Sequence, residues 1–374
     1  MAGEVKRKSE KLIIKFTKLI TRCVNSIIPL LPKNYCKEDL LELFKKYYPA
    51  EWQQIEEMYD YYHKRDNFLK IHRKKIRYKF KEPEYFFYSH PKVRYVIQDS
   101  FRIKRINSFC EENWNKSKNE LQAIRQKAIN KWNNKIEKIR KEKINLEPSF
   151  LDAYISLYKH TKNIEERIEI LREIQKYDCE KSIDFLHCVN DGSANNQLRY
   201  ETFKILQAAG HFVVLRKNFK GKSKDFYTAS FDYKKWKPED LVKSLKQKDS
   251  IHIKSYDYFI SHKIEDKEYV FKLKAALEKY GKSIYCDWIE DSDFLKRKYI
   301  SEYTKEVLRI RLHQSKNFIY LSSKKANASA WVQFERDLYQ TISPSNMFVI
   351  YIDDCEQCNY KELKFDENKC EIRL

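Results

Sequence analysis

Four short apolar runs, each ending on a polar residue, constrain what the last third of this chain can become. Tyr258, Phe259 and Ile260 lead into Ser261 and His262. Ser283-Ile-Tyr-Cys leads to Asp287, Asn317-Phe-Ile-Tyr-Leu to Ser322 and Ser323, and Met347-Phe-Val-Ile-Tyr-Ile to Asp353. Apolar runs this short read as strands buried on both faces of a parallel sheet. From Tyr269 to Tyr280 the apolar positions Val270, Leu273, Ala276 and Leu277 fall at helical spacing, and Gly281 supplies a left-handed cap. A further helix is expected from Ser329, as its N-cap, to Tyr339. Alternating strands and helices predict a doubly wound α/β fold. Such sheets bind ligands at the carboxyl ends of their strands, where Ser261 and His262 stand.

Taken in order, Phe259-Ile-Ser-His262, the Asp287-Trp288 pair and Ser329-x-Trp331-x-x-x-Glu335 resemble the boxes of a TIR (Toll/interleukin-1 receptor) domain. The likeness is to the bacterial branch, and it runs from about Tyr256 to the C-terminus. It implies a flavodoxin-like parallel sheet. It also implies cleavage of NAD+ to nicotinamide and ADP-ribose or a cyclic isomer, with NAD+ as substrate and with no cofactor or metal. Trp331 and Glu335 stand one helical turn apart and share a face. A carboxylate there can accept hydrogen bonds from ribose hydroxyls and stabilise a ribosyl cation as the glycosidic bond breaks. By resemblance Glu335 is the catalytic residue; composition alone makes it one glutamate among many.

The same resemblance assigns Phe259, Ser261, His262 and Lys263 to the nicotinamide and phosphate end of the substrate. Asp287 and Trp288 fall where the family contacts the nucleotide and a neighbouring subunit, and Trp331, on the helix of Glu335, is a further substrate-binding candidate. His262 is expected as a polar lining residue, because nicotinamide leaves without needing a proton. Composite pockets in the family imply activity on self-association, and its bacterial members imply antiphage defence by NAD+ depletion. Two departures bear on the product. The loop from Ile289 to Lys298 is charged and lacks a glycine turn, and Lys263 is followed by Ile264 where active relatives carry two polar residues. Two alternatives stay open: a non-catalytic adaptor that binds other TIR domains, and a nucleic-acid-binding sensor.

Upstream no family resemblance of that strength emerges. The 374 residues have room for two or three domains, divided here as 1–146, 147–253 and 254–374. From Lys254 onward there are 21 basic and 20 acidic residues; 54 basic and 34 acidic residues precede it. Of the net charge of +21, +20 therefore belongs to the N-terminal region, where a nucleic acid or protein trigger would act. Leu40 to Phe109 interleaves rings with bases, most densely in His72-Arg-Lys-Lys-Ile-Arg-Tyr-Lys-Phe-Lys81. That composition suits nucleic acid, yet equally an aromatic core under a solvated basic face, the reading preferred here.

Leu12 to Leu31, stopped by Pro29 and Pro32, is a basic amphipathic helix expected to dock on its own domain rather than on a membrane. Glu84 to Tyr88, between Pro83 and Pro91, is expected as a loop or edge segment. Trp114 to Leu146 predicts a long charged helix with one narrow apolar stripe, Leu121, Ile124, Ala128, Trp132, Ile136 and Ile139, ended by Pro148. Ser149 to Gly210 predicts short helices, with Asp178 as a cap, and a faint repeat suggests HEAT-like hairpins. Phe212 to Leu215 is expected as a strand, Arg216 to Lys224 as a basic turn, and Trp236 to Gln247 as a helix. Nine scattered cysteines without a secretion signal predict reduced, cytoplasmic thiols, and Cys355-x-x-Cys358 with Cys370 is weak as a zinc site. No run is long and apolar enough to span a bilayer.

Overall fold

The computed structural model describes residues 4–215, 238–239, 241–242, 254–291, 295, 301–353 and 357–373. The basic turn from Arg216 to Lys224, most of the helix expected from Trp236, most of the loop after Asp291, and Cys355 lie outside them. The chain divides into two compact units, Met1–Lys138 with Gln207–Val214, and Ile139–Leu206 with Leu215–Leu374.

The first unit contains α1 (Glu4–Ile27), α2 (Lys37–Tyr47), α3 (Pro49–Ile71), α4 (Pro83–Tyr88), α5 (Pro91–Val96), α6 (Asp99–Ser108) and most of α7 (Glu111–Glu142). Phe16, Ile20, Val24 and Ile27, spaced by threes and fours, place one face of α1 in the core of this unit. Phe44, Tyr62 and Phe87 are fully enclosed in the same core, so the ring-rich stretch builds the interior while its bases stay outside. The basic segment after α3 is pinned: the buried Asp66 carboxylate accepts the backbone N–H groups of Arg77, Tyr78 and Lys79 at 3.0, 3.1 and 2.7 Å.

Several expectations need correcting here. Glu84 to Tyr88 is helical, because Pro83 at the first position presets φ and Phe87 is drawn into the core. Phe212 to Leu215 is not a strand; the Phe212 ring packs edge-on against Tyr61 at 5.5 Å instead. Helix α7 ends at Glu142, six residues before Pro148, and its stripe is not a continuous buried seam, since Ile124 is 70% exposed.

The second unit contains helices α8 (Leu151–His160), α9 (Ile164–Ile174), α10 (Glu180–Gly192) and most of α11 (Asn196–Ala208). Cys179, not Asp178, is the N-cap of α10, closing a capping box with Ser182. The α/β part follows, with strands β1 (Tyr256–Ser261), β2 (Ile284–Tyr285), β3 (Ser315–Ser322), β4 (Met347–Tyr351) and β5 (Lys361–Glu362). All pair in parallel, in the order β2-β1-β3-β4-β5, and a separate antiparallel pair joins β6 (Lys364–Asp366) to β7 (Glu371–Arg373).

Tyr258 and Ile260 face the layer of α12 (Lys267–Lys279), whereas Phe259 faces the opposite layer. That second layer holds α14 (Glu302–His313) and α16 (Ala330–Ile342), with the short α13 (Asp287–Glu290) and α15 (Lys324–Asn327) at strand ends. Gly281 takes φ +68° after α12, the left-handed cap expected of it. Strand β2 is shorter than expected. Asp287 opens a helical turn, in which Cys286 and Asp287 carbonyls accept the Glu290 and Asp291 N–H groups at 2.9 Å each. Helix α14 was not anticipated, because only Thr304, Val307, Leu308, Arg311 and Leu312 turn inward along a mostly charged run. Among the described residues no helix is long and apolar enough to cross a membrane.

Candidate active site

The strand order reverses between β1 and β3, which opens a crevice at their carboxyl ends. Ser261 is the last residue of β1 and is fully buried. Helix α16 lies across that edge and carries Glu335, only 8% exposed. Ser261 Oγ donates to Glu335 Oε2 at 2.5 Å. Trp331, one turn earlier on α16, is half-buried and meets Phe334 edge-on at 6.3 Å.

Beside this pair the turn after β1 meets α13. His262 Nδ1 lies 2.9 Å from the Ile260 carbonyl, and Trp288 Nε1 donates to His262 Nε2. An acceptor at Nε2 requires the neutral tautomer with its proton on Nδ1. Asp287 Oδ1 stands 3.9 Å from the same Nε2, and its side chain is 42% exposed. Trp288 is held on its other side by Phe271 of α12, edge-to-face at 4.8 Å. The structure thus brings together two groups of the sequence-derived residues: Ser261 with Glu335, and His262 with Asp287 and Trp288. Lys263 is half-buried at the start of the turn. Phe259 lies beneath the others in the core, stacked 5.7 Å from Phe318 and 1% exposed.

Glu335 is electrostatically unusual. Burial, with a smaller push from the Asp287 charge, drives its carboxyl up to about 8 against the opposing hydrogen bond from Ser261. At pH 7 about one such carboxyl in ten is ionised. His262, Cys286 and Asp287 place ligand-type atoms within 4.8 Å of one another. The Nε2 lone pair, however, already accepts the Trp288 N–H, and burial raises the Cys286 thiol well above its ordinary range. Trp288 and His262 form a hydrogen-bonded wall, with Cys286 and Asp287 each 3.9 Å from the His262 Nε2. A further polar group was passed over in the sequence: Ser322, at the end of β3, has a buried hydroxyl with no partner among the described residues. Its signal was the pair of hydroxyls closing that strand. Ser323, the second of the pair, caps α15 and donates to Asp266 at 2.7 Å.

A five-stranded parallel sheet of this order, with a glutamate on the last described α-helix turned toward the end of the first strand, defines the class as TIR domains. Residues 259–357 match the family described as "Thoeris protein ThsB, TIR-like domain". The chain is 37% identical over 368 residues, 98% of its length, to the "Putative cyclic ADP-D-ribose synthase TIR2" of Cytobacillus dafuensis, covering 96% of that protein. It is also 35% identical over 89 residues to the "Probable 3' cyclic ADP-D-ribose synthase ThsB'" of Bacillus cereus (strain MSX-D12), covering 24% of this chain and 46% of that one. The chain belongs to this family of ThsB- and TIR2-type TIR proteins. No solved structure matches it significantly.

Proposed function

We propose that the protein cleaves NAD+ at its nicotinamide glycosidic bond, as a TIR effector of antiphage defence, and that a cyclic ADP-ribose is its principal product. The observation that carries this reading is the buried Glu335 carboxyl bonded to Ser261 at the carboxyl edge of the sheet. The names of the relatives, both cyclic ADP-ribose synthases, support the cyclic outcome over plain hydrolysis.

The chemistry follows from charge. The C1′–N bond breaks with its electron pair moving onto the nicotinamide nitrogen, so the ring leaves neutral and needs no acid. Positive charge develops on the ribose, and the ionised Glu335 stabilises it. A nucleophile of the same molecule, a ribose hydroxyl or an adenine nitrogen, then bonds to C1′ with loss of one proton, giving the cyclic product; water in its place gives ADP-ribose. Glu335 is mostly protonated when the site is empty, but the cationic nicotinamide ring favours the carboxylate once bound. Ser261 fixes the carboxyl rotamer, and His262, Asp287 and Trp288 form the adjacent wall. Trp331, Lys263 and the Ser322 hydroxyl stand as further contacts, with Phe259 supporting the floor. NAD+ is a substrate here and no cofactor is called for.

The half-exposed Asp287 suits a pocket completed by a second copy, so turnover is expected to rise with self-association. The basic N-terminal region is the proposed sensor or assembly module. Its unit has a cavity of about 460 Å³ lined by Leu12, Lys15, Leu19, Arg22, Met58 and Phe212. Incubation with NAD+ over a range of protein concentrations, with chromatography of the products, tests the proposal. Nicotinamide and a cyclic product in equal amounts are expected from the wild type, with neither from Glu335→Gln. Equal turnover by both proteins refutes the site.

A further inference from the structure

The two residues that follow Ile289 at the end of α13 are acids, and both are buried: Glu290 is 2% and Asp291 1% exposed. Glu290 is gripped from two directions. From the strand side, Lys254 Nζ and Tyr256 Oη donate to Oε2 at 3.1 and 3.2 Å. From the turn after α9, Tyr177 Oη donates to Oε1 at 3.2 Å, and Lys176 Nζ donates to the Glu290 backbone carbonyl at 2.5 Å. Glu173, the next-to-last residue of α9, closes the loop by meeting Lys176 at 3.0 Å and Lys254 at 2.5 Å. Asp291 is held separately. The Arg311 guanidinium binds it in a fork, 2.9 Å on each arm, and Tyr285 Oη donates to it at 3.0 Å.

Salt-bridged charges so deeply buried add little net stability over apolar packing of the same volume, whereas their geometry is demanding. Here they anchor the exit of a four-residue helix whose first two residues, Asp287 and Trp288, form the wall around His262. A helix this short is marginal by itself, so beyond the packing of Trp288 and Ile289 on the layer of α12 its placement depends on what holds its ends. One end is β2. The other is this cluster, half of which is contributed by α9 and the turn behind it. The connection is reinforced where Ile144 bridges to Tyr177 and where the buried Lys274 of α12 donates to the Lys143 carbonyl at 2.6 Å.

We infer that Glu173, Lys176 and Tyr177 are positioning residues for the active site, acting through Glu290 on the Asp287–Trp288 wall, so that α9 and the turn after it set the geometry of the TIR site. The functional consequence rests on the NAD+-cleavage reading; the geometric claim does not. A movement of α9 would loosen Trp288 and the half-exposed Asp287 without touching Glu335.

The test uses the full-length protein labelled with 5-fluorotryptophan, with the Trp288 resonance among the six tryptophans assigned by Trp288→Phe. Tyr177→Phe removes one hydrogen bond, and Lys176→Gln removes the charge at the partly open edge of the cluster. Ile168→Val, on the same α9 but in its apolar packing, controls for simple destabilisation. In Tyr177→Phe and Lys176→Gln the Trp288 fluorine signal is expected to shift or broaden, the other five staying in place, and NAD+ turnover to fall about tenfold. Ile168→Val should leave Trp288 unmoved. An unchanged Trp288 signal in both folded variants overturns the inference, as does an equal displacement in Ile168→Val. Displacement of Trp288 without NAD+ cleavage by any form, wild type included, would keep the coupling and defeat the enzymatic reading instead.

Discussion

Two sets of buried carboxylates lie in the α/β unit and are treated in opposite ways. Asp291 and Glu290 are surrounded by fixed cations, Arg311, Lys254 and Lys176. Burial alone would raise the Asp291 carboxyl, but Arg311 outweighs it and holds the group below the usual aspartate range. Arg311 is likewise kept charged: burial works against it, and Asp291 prevails. Glu335 is buried as well, yet among the described residues its hydrogen bond comes from a neutral serine, and its carboxyl rises to about 8. A carboxylate with its own cation is finished as a structure. On the proposed reading, one without is arranged for a cation that arrives from outside, such as the nicotinamide ring next to the bond to be broken.

That contrast breaks most visibly when a partner is removed. Arg311→Met leaves Asp291 charged and unpaired in the interior, and the expected loss is about 3–5 kcal/mol in chemical denaturation. Glu335→Gln should behave the other way. Its fold is retained, while nicotinamide release falls by about 10²–10³, the scale for losing one electrostatic stabiliser of a transition state. The acidity of Glu335 gives the next effect. Because its folded value lies above the ordinary 4.5, it favours the folded state fully below about pH 4.5 and loses that contribution as pH rises through about 8. Glu335→Gln should therefore gain stability relative to wild type as pH rises from about 4.5 to about 8 and keep that gain above it, and wild-type kcat/KM should climb about tenfold per unit up to an apparent value near 8. The smallest effect is Ser261→Ala. Losing the one hydrogen bond that favours the carboxylate moves the pH profile further up and lowers turnover at pH 7 by about tenfold.

How much of this was legible follows from what each part needs. Strands β1, β3 and β4 are apolar runs with no other use for their residues, and they declared themselves. Helices α12 and α16 were readable from their periodicity. Glu335 is singled out by resemblance alone, since nothing in its neighbours along the chain distinguishes it from a surface glutamate; its burial comes from α16 lying over the end of β1. The ion cluster was not legible at all. Lys254, Glu290, Asp291 and Arg311 look like ordinary surface charges in a chain rich in them, and only the fold brings them together. Helix α14 was missed for the same reason, its buried Arg311 being counted as polar. The short helix at Pro83 was obscured by a proline whose role is to start a helix rather than break one.

The central claim is that Glu335 waits protonated and is ionised by a cationic substrate. Carbon-13 spectra of glutamate side chains, with Glu335 assigned by Glu335→Gln, follow that carboxyl through a pH titration with and without a non-cleavable nicotinamide-dinucleotide analogue bearing the cationic ring. The account predicts a midpoint near 8 in the free protein, falling when the analogue binds. A carboxyl that titrates near 4.5 in the free protein, or whose midpoint ignores the analogue, would contradict it.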